Sequence, residues 1–100
     1  MKTITRDEWK SEGDRLYGNF KNWKFKCVSC GTVQTMQDFI DAGIPADRAG
    51  NFVYQECIGR HTKEKGCDWC LYGLFQIHTK EVEFEGTKVP VFEFAEIEKP

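Results

Sequence analysis

The sequence predicts a small α+β domain in which short antiparallel strands accompany an amino-terminal helix and a second short helix. A C-x-x-C pair at Cys27 and Cys30 lies between stretches that alternate apolar and polar residues, the pattern of strands. A threonine followed three residues later by an acidic residue, the pattern that starts helices, occurs at Thr5 and again at Thr35. No linker or low-complexity stretch interrupts residues 1–100, so we expect a single domain.

The first helix is predicted from its start signal and its apolar side. Thr5 and Glu8 have the spacing of a capping box, and the charged segment that follows places Trp9, Leu16 and Tyr17 on one side. The Gly-Asn pair directly after this segment is typical of a helix end.

The next elements follow the same reasoning. The stretch NWKFKCVSCGTVQT predicts two short strands joined at a turn. Thr35 with Asp38 starts a second helix, MQDFIDAG, whose Met36, Phe39 and Ile40 point one way and which Gly43 ends. After Pro45, NFVYQEC and CLYGLFQIHT predict strands on either side of a polar loop. A final hairpin pairs KEVEFE with KVPVFEFAE across Gly86.

Composition indicates that a metal ion supplements a thin core. A chain of 100 residues with 40% hydrophobic content buries little surface and often needs a covalent or metal crosslink. No apolar run approaches the ~20 residues that span a bilayer, so we expect a soluble, cytoplasmic protein without membrane contact. Five cysteines are an odd number for a disulfide framework, and in a reducing compartment thiols stay free unless they bind metal.

The first half of the metal site is a specific pattern. Zinc prefers four tetrahedral ligands, and two thiolates separated by two residues in a tight turn share one ion without strain. Cys27 and Cys30 have this spacing, and Gly31 follows where the chain must turn sharply. The sequence therefore predicts a zinc-ribbon-like core with zinc as its cofactor.

The second half of the site is ambiguous from the residues alone. Spacing favours Cys67 and Cys70, which repeat the C-x-x-C pattern. However, Cys70 opens the apolar run CLYGLF, where a thiol can serve as a small buried hydrophobe. Cys57 precedes Gly59 by two residues, and Cys67 follows a glycine, so Cys57 and Cys67 could instead close the loop between two strands.

A resemblance to a known group of proteins bears on this choice. The strings MKTITRDEW, CVSCGTVQTMQDFIDAGIPADRA, CIGR and GCDW ahead of GLF resemble a family of small, cysteine-rich proteins encoded in phage and prophage genomes. The cysteines that recur in that family match Cys27, Cys30, Cys57 and Cys67. The resemblance thus implies that these four hold the metal and that Cys70 is a spare, buried nearby.

Other interpretations of the cysteines and histidines have less support in the sequence. All five thiols could be buried small residues, Cys67 and Cys70 could form a redox pair, and His61 or His78 could replace a thiolate. Four cysteine ligands leave no open position for a catalytic water, and both histidines stand in H-T-K-E, not the H-x-E of zinc deaminases. We therefore expect no enzymatic activity and no small-molecule substrate.

Two kinds of macromolecular partner are consistent with the sequence. The stretch from Phe20 to Lys26 interleaves aromatic residues with lysines and could bind nucleic acid, although Trp23 and Phe25 could equally fill the core while the lysines face solvent. The net charge of −2 disfavours nucleic acid. The carboxyl-terminal hairpin places acidic residues on one strand face, namely Glu81, Glu83 and Glu85.

Together with the phage resemblance, this acidic face favours a protein partner. We expect a host or phage protein to be that partner, and inhibition or redirection of a host factor such as a defence nuclease to be the function.

Overall fold

The computed structural model describes residues 2–71 and 80–95, and it confirms the α+β class. Within these ranges the helices are α1 (Arg6–Tyr17), α2 (Met36–Asp41) and α3 (Ala46–Phe52). The strands are β1 (Lys2–Thr5), β2 (Phe25–Lys26), β3 (Val33–Gln34), β4 (Lys80–Phe84), β5 (Thr87–Val91) and β6 (Glu93–Phe94). Short 3₁₀ turns span Phe20–Asn22 and Ile58–Arg60.

Two small sheets organise the chain. One sheet has the order β1-β4-β5, with β1 parallel to β4 and β4 antiparallel to β5. The other has the order β3-β2-β6, and both of its pairings are antiparallel. The parallel pairing of β1 differs from the expectation of antiparallel strands alone, because β1 joins the sheet through a partner far along the chain and not through a hairpin.

Both predicted helix starts are confirmed. At α1, Thr5 accepts from the Glu8 N–H and the Glu8 carboxylate accepts from the Thr5 N–H, each at 3.1 Å. At α2, Thr35 and Asp38 form the same reciprocal pair. Each box satisfies backbone donors that a helix start otherwise leaves unpaired, so local sequence alone fixes where these helices begin.

The strand predicted over NFVYQEC is wrong. Asn51 and Phe52 complete α3, and the residues after them form turns until Glu56 makes a single antiparallel bridge to Cys70. Pro45 stands at the N-cap of α3 and Asp47 lies in its first turn, where a negative charge favours a helix. These start signals outweigh the strand preference of the Phe-Val-Tyr run. The strand predicted over CLYGLFQIHT falls largely on residues 72–79, outside the described residues.

The buried core contains a cluster of aromatic rings around Trp9 and also includes Phe39 of α2, Ala49 of α3 and the thiols of Cys27 and Cys57. Trp9 packs edge-to-face against Trp23 and Tyr54, with ring centroids 5.2 and 5.3 Å apart. Gly13 lets α1 approach this core, because a Cβ at that position would overlap the indole of Trp23. Among the described residues, no helix is both long and apolar enough to cross a bilayer.

Candidate metal centre

The first cysteine pair sits in a tight turn between β2 and β3. The Cys27 N–H donates to the Thr32 carbonyl, and the Gly31 N–H donates back to the Cys27 carbonyl, both at 3.0 Å. Gly31 has φ +78°, a left-handed conformation that residues with a side chain rarely adopt. The turn therefore holds Cys27 and Cys30 on one side of the chain.

The second pair is formed by the two ends of a loop, Cys57 and Cys67, which are ten positions apart in the sequence. The Cys57 N–H donates to the Trp69 carbonyl at 2.9 Å, and the Cys67 N–H donates to Cys57 Sγ at 3.2 Å. Gly59 packs so tightly on the backbone of Cys67 that a Cβ there would overlap it. Only a glycine at position 59 therefore lets Cys67 come this close to Cys57.

The two turns face each other and bring four thiols together. The Sγ atoms of Cys27, Cys30, Cys57 and Cys67 all lie within 4.8 Å of one another. Cys27 Sγ is 3.8 Å from Cys67 Sγ, and Cys30 Sγ is 3.7 Å from Cys57 Sγ. A tetrahedral ion with Zn–S bonds of about 2.3 Å needs sulfur atoms ~3.8 Å apart. The donor set and its spacing therefore fit a metal ion.

Burial divides the four thiols into two classes. Cys27 and Cys57 are 1% and 0% exposed, Cys67 is half-buried, and Cys30 is exposed. Burial raises the pKa of Cys27 to about 12, although the N–H groups of Ser29 and Cys30 oppose it. Burial also raises the pKa of Cys57, although the N–H groups of Cys67 and Gly59 oppose it.

Cys30 behaves in the opposite way. Its modest burial would raise its pKa, but hydrogen bonds with the hydroxyl and the N–H of Thr32, together with those to Cys67 and Cys57, bring the pKa down to about 6. The Thr32 hydroxyl lies 3.1 Å from Cys30 Sγ. The cluster thus combines one readily ionised thiol, Cys30, with two buried thiols, Cys27 and Cys57, that accept hydrogen bonds from backbone N–H groups. A bound cation would displace the protons of the buried thiols.

Among the described residues, the other candidate ligands, Cys70 and His61, are not part of this cluster. Cys70 is half-buried, which corrects the prediction that it is buried, and it is not among the four clustered thiols. His61 stacks on Phe52 and its Nε2 lies 2.8 Å from the Glu56 carboxylate. His78 falls outside the described residues. Cys67 has Cys27 as its near thiol neighbour, so the structure does not pair it with Cys70.

Gln34 is an essential support that the sequence analysis did not identify. Its side-chain amide donates to the carbonyls of Val53 and Glu56 at 2.8 and 2.7 Å, and its carbonyl accepts from the Ile58 N–H at 2.8 Å. It is fully buried. Gln34 therefore ties β3, which follows the first cysteine pair, to the segment that carries Cys57. The only signal in the sequence is a polar residue at an inward position of a short strand.

The basic and aromatic stretch contributes its aromatic residues to the core. Trp23 and Phe25 are 2% and 0% exposed, while Lys21, Lys24 and Lys26 are exposed. Bases therefore cannot stack on Trp23 or Phe25 without opening the core.

The acidic hairpin only partly forms the predicted face. Glu81 and Glu83 share one face of β4, but Glu85 lies in the turn. Glu83 also stands beside Lys88 of β5.

The fold and the cluster define a small α+β protein in which four cysteines from two facing turns can hold a metal ion. The chain belongs to the VVA0879-like family, whose model matches residues 5–95. No curated protein and no solved structure matches the chain.

Proposed function

We propose that this protein is a zinc-stabilised binding protein and not an enzyme. The observation that supports it is the tetrahedral spacing of the four thiols of Cys27, Cys30, Cys57 and Cys67. Four thiolates fill the coordination sphere that zinc prefers, so no position remains for a water or substrate. The ion then stabilises the fold and supplies no reaction chemistry.

The role proposed for the stabilised surface is contact with another protein. The net charge is −2, and two of the three aromatic residues that a nucleic-acid strand would stack on, Trp23 and Phe25, are buried in the core, while Phe20 is half-buried. Both facts favour a protein partner over the nucleic-acid alternative at Phe20 to Lys26. The resemblance to phage and prophage proteins supports a host or phage protein in the cytoplasm as the partner, with a defence nuclease as one kind of target.

An affinity capture experiment tests this role. Tagged, zinc-loaded protein is incubated with bacterial lysate with and without nuclease, and the bound proteins are identified by mass spectrometry. We expect a stoichiometric protein that nuclease treatment does not remove and that the metal-free Cys27→Ser variant fails to capture. If every bound protein disappears on nuclease treatment, or in moderate salt as phosphate contacts weaken, the nucleic-acid alternative replaces the proposal.

A further inference from the structure

A groove of about 520 Å³ is separate from the metal cluster, since none of the four clustered cysteines lines it. Its walls come from α1, the 3₁₀ turn at Phe20–Asn22, α3 and β4. Five aromatic residues line it. Phe20, Tyr54 and Phe84 are half-buried and offer the accessible walls, whereas Trp9 and Trp23 are almost fully buried. A concave site of this size with aromatic walls is typical of pockets that receive flat apolar groups.

The rim of the groove is cationic although the chain as a whole is acidic. Arg6 and Lys10 line it along α1, and Asp14 is the acidic residue among the lining side chains. Lys10 Nζ lies 3.5 Å from the Asp14 carboxylate, which offsets that pair. The Arg6 guanidinium lies 5.9 Å from the centre of the Phe84 ring, directly at the aromatic wall. Arg6 therefore leaves the mouth of the groove positively charged.

The two tryptophans of the groove differ in whether their indole N–H groups have a hydrogen-bond acceptor. Trp9 is 6% exposed, and its buried indole N–H has no acceptor among the described residues; the same is true of Trp69, which does not line the groove. Buried tryptophan N–H groups usually have a partner. By contrast, the Trp23 N–H, on the same groove, donates to the Gly18 carbonyl at 3.1 Å.

We propose that this groove receives an aromatic side chain from an acidic segment of the partner protein. The aromatic walls fit a planar ring, and Arg6 fits a carboxylate beside it. Aromatic anchors that enter pockets commonly dominate protein interfaces. This inference rests on the proposed function, because it names the chemistry of the partner in that protein contact.

The test uses the indole N–H signals of the zinc-loaded, ¹⁵N-labelled protein. The chain has three tryptophans, so the spectrum resolves Trp9 and Trp23 on the groove from Trp69, which does not line it. The probe is the unlabelled peptide acetyl-Glu-Trp-Glu-amide, with Lys-Trp-Lys and Glu-Ala-Glu peptides as matched controls. We expect the acidic aromatic peptide to shift the Trp9 and Trp23 signals, and both controls to leave them in place.

Two variants make the test specific. Arg6→Glu places a negative charge at the start of α1, where it favours the helix, so folding is retained. It should weaken binding of the acidic peptide about fivefold, the equivalent of one exposed ion pair. Arg48→Glu makes the same charge change on α3, away from the groove, and should leave binding unchanged.

The second variant, Gly50→Leu, fills the groove from α3. A Cβ at Gly50 would lie 3.6 Å from the Phe20 ring, an ordinary contact, so the backbone accepts a side chain there. The groove proposal is contradicted if the basic peptide shifts the Trp9 and Trp23 signals as much as the acidic peptide does. It is also contradicted if Gly50→Leu binds the acidic peptide as well as the wild type does. If Gly50→Leu still captures a nuclease-resistant protein from lysate, the groove proposal fails while the proposed function stands. Loss of capture by the wild type itself contradicts the proposed function instead.

Discussion

Gln34 joins the two halves of the cysteine cluster through three hydrogen bonds to backbone groups. Gln34→Leu roughly keeps the side-chain volume but removes the hydrogen bonds to the carbonyls of Val53 and Glu56 and from the N–H of Ile58. Each unsatisfied buried group costs roughly 1–3 kcal/mol, so we expect the free energy of unfolding to fall by ~3 kcal/mol or more. Urea unfolding of the metal-loaded protein measures this.

The matched control for Gln34 is Gln37→Leu on α2. Gln37 is exposed and its side chain donates to Asp41 of the same helix, so its replacement should change stability by less than ~0.5 kcal/mol. Equal unfolding midpoints for the two variants would show that Gln34 does not support the cluster.

Single cysteine-to-serine substitutions test which of the five cysteines is not a metal ligand. Cys27→Ser, Cys57→Ser and Cys67→Ser each remove a thiolate from the cluster, whereas Cys70 lies outside it. We expect the first three variants to lose the metal and Cys70→Ser to keep one zinc ion per chain, because a serine hydroxyl is a poor replacement for a thiolate. Elemental analysis after gel filtration measures the metal content. Metal retained by Cys67→Ser but lost from Cys70→Ser would reverse the assignment.

At the scale of secondary structure, the sequence identified elements whose signals are local. Both capping boxes and the final hairpin lie within short stretches of chain, and each is found where it is predicted. The first cysteine pair is equally local. By contrast, the choice among Cys57, Cys67 and Cys70 depends on how a loop returns, which residue spacing leaves open. The strand predicted over residues 51–57 failed because β-branched and aromatic residues also pack well after a short helix.

Lys80 of β4 pairs with α1, but burying its positive charge destabilises the folded state. It is 1% exposed in the central strand, with Nζ 3.5 Å from the Glu12 carboxylate of α1 and 4.2 Å from the centre of the Phe94 ring. Burial lowers its pKa below the ordinary 10.5, although the charge of Glu12 opposes the change. The folded state thus binds the lysine proton less tightly than the unfolded state does.

The pH dependence follows from that sign. Below the lowered pKa both states hold the proton, and the full penalty of burying the charge is present. As the pH rises towards 10.5, the folded state releases its proton first and the penalty disappears. Lys80→Met should therefore stabilise the protein at neutral pH by about 1 kcal/mol or more. Its advantage over wild type should shrink as the pH rises.

Paired denaturant titrations at neutral and alkaline pH compare the two proteins. The Glu12 side chain is 33% exposed, so it returns to water when Lys80 is replaced and leaves no stranded charge. A Lys80→Met protein that is less stable than wild type at neutral pH would show that the ion pair and the Phe94 contact outweigh desolvation.

At the scale of the whole molecule, the contacts that could not be predicted are those between distant parts of the chain. β1 pairs with β4, and β2 pairs with β6, across most of the sequence. The Phe92 N–H also donates to the Tyr54 carbonyl at 2.8 Å. No residue pattern specifies such partners, because the alternation of a strand shows which face is buried and not which strand lies beside it.

The metal cluster is one of these distant contacts, which sets the expected result of metal removal. It joins the turn after β2 to a loop that starts thirty residues after Cys27, at Cys57. Structural zinc contributes on the order of 10 kcal/mol in small domains, comparable with the ~5–15 kcal/mol by which whole domains are stable. We therefore expect a chelator to unfold the chain, and not merely to loosen one turn.

Amide NMR spectra recorded before and after chelation measure this, with Cys70→Ser as the matched control. Loss of signal dispersion across both sheets, recovered when zinc is added back, is the expected result for both proteins. The aromatic rings around Trp9 make the opposite result meaningful, since they pack directly on one another, although Cys27 and Cys57 belong to the same buried core. If the chelated protein kept its dispersion, that core would suffice to hold the fold, and the four thiols would need a role other than stability.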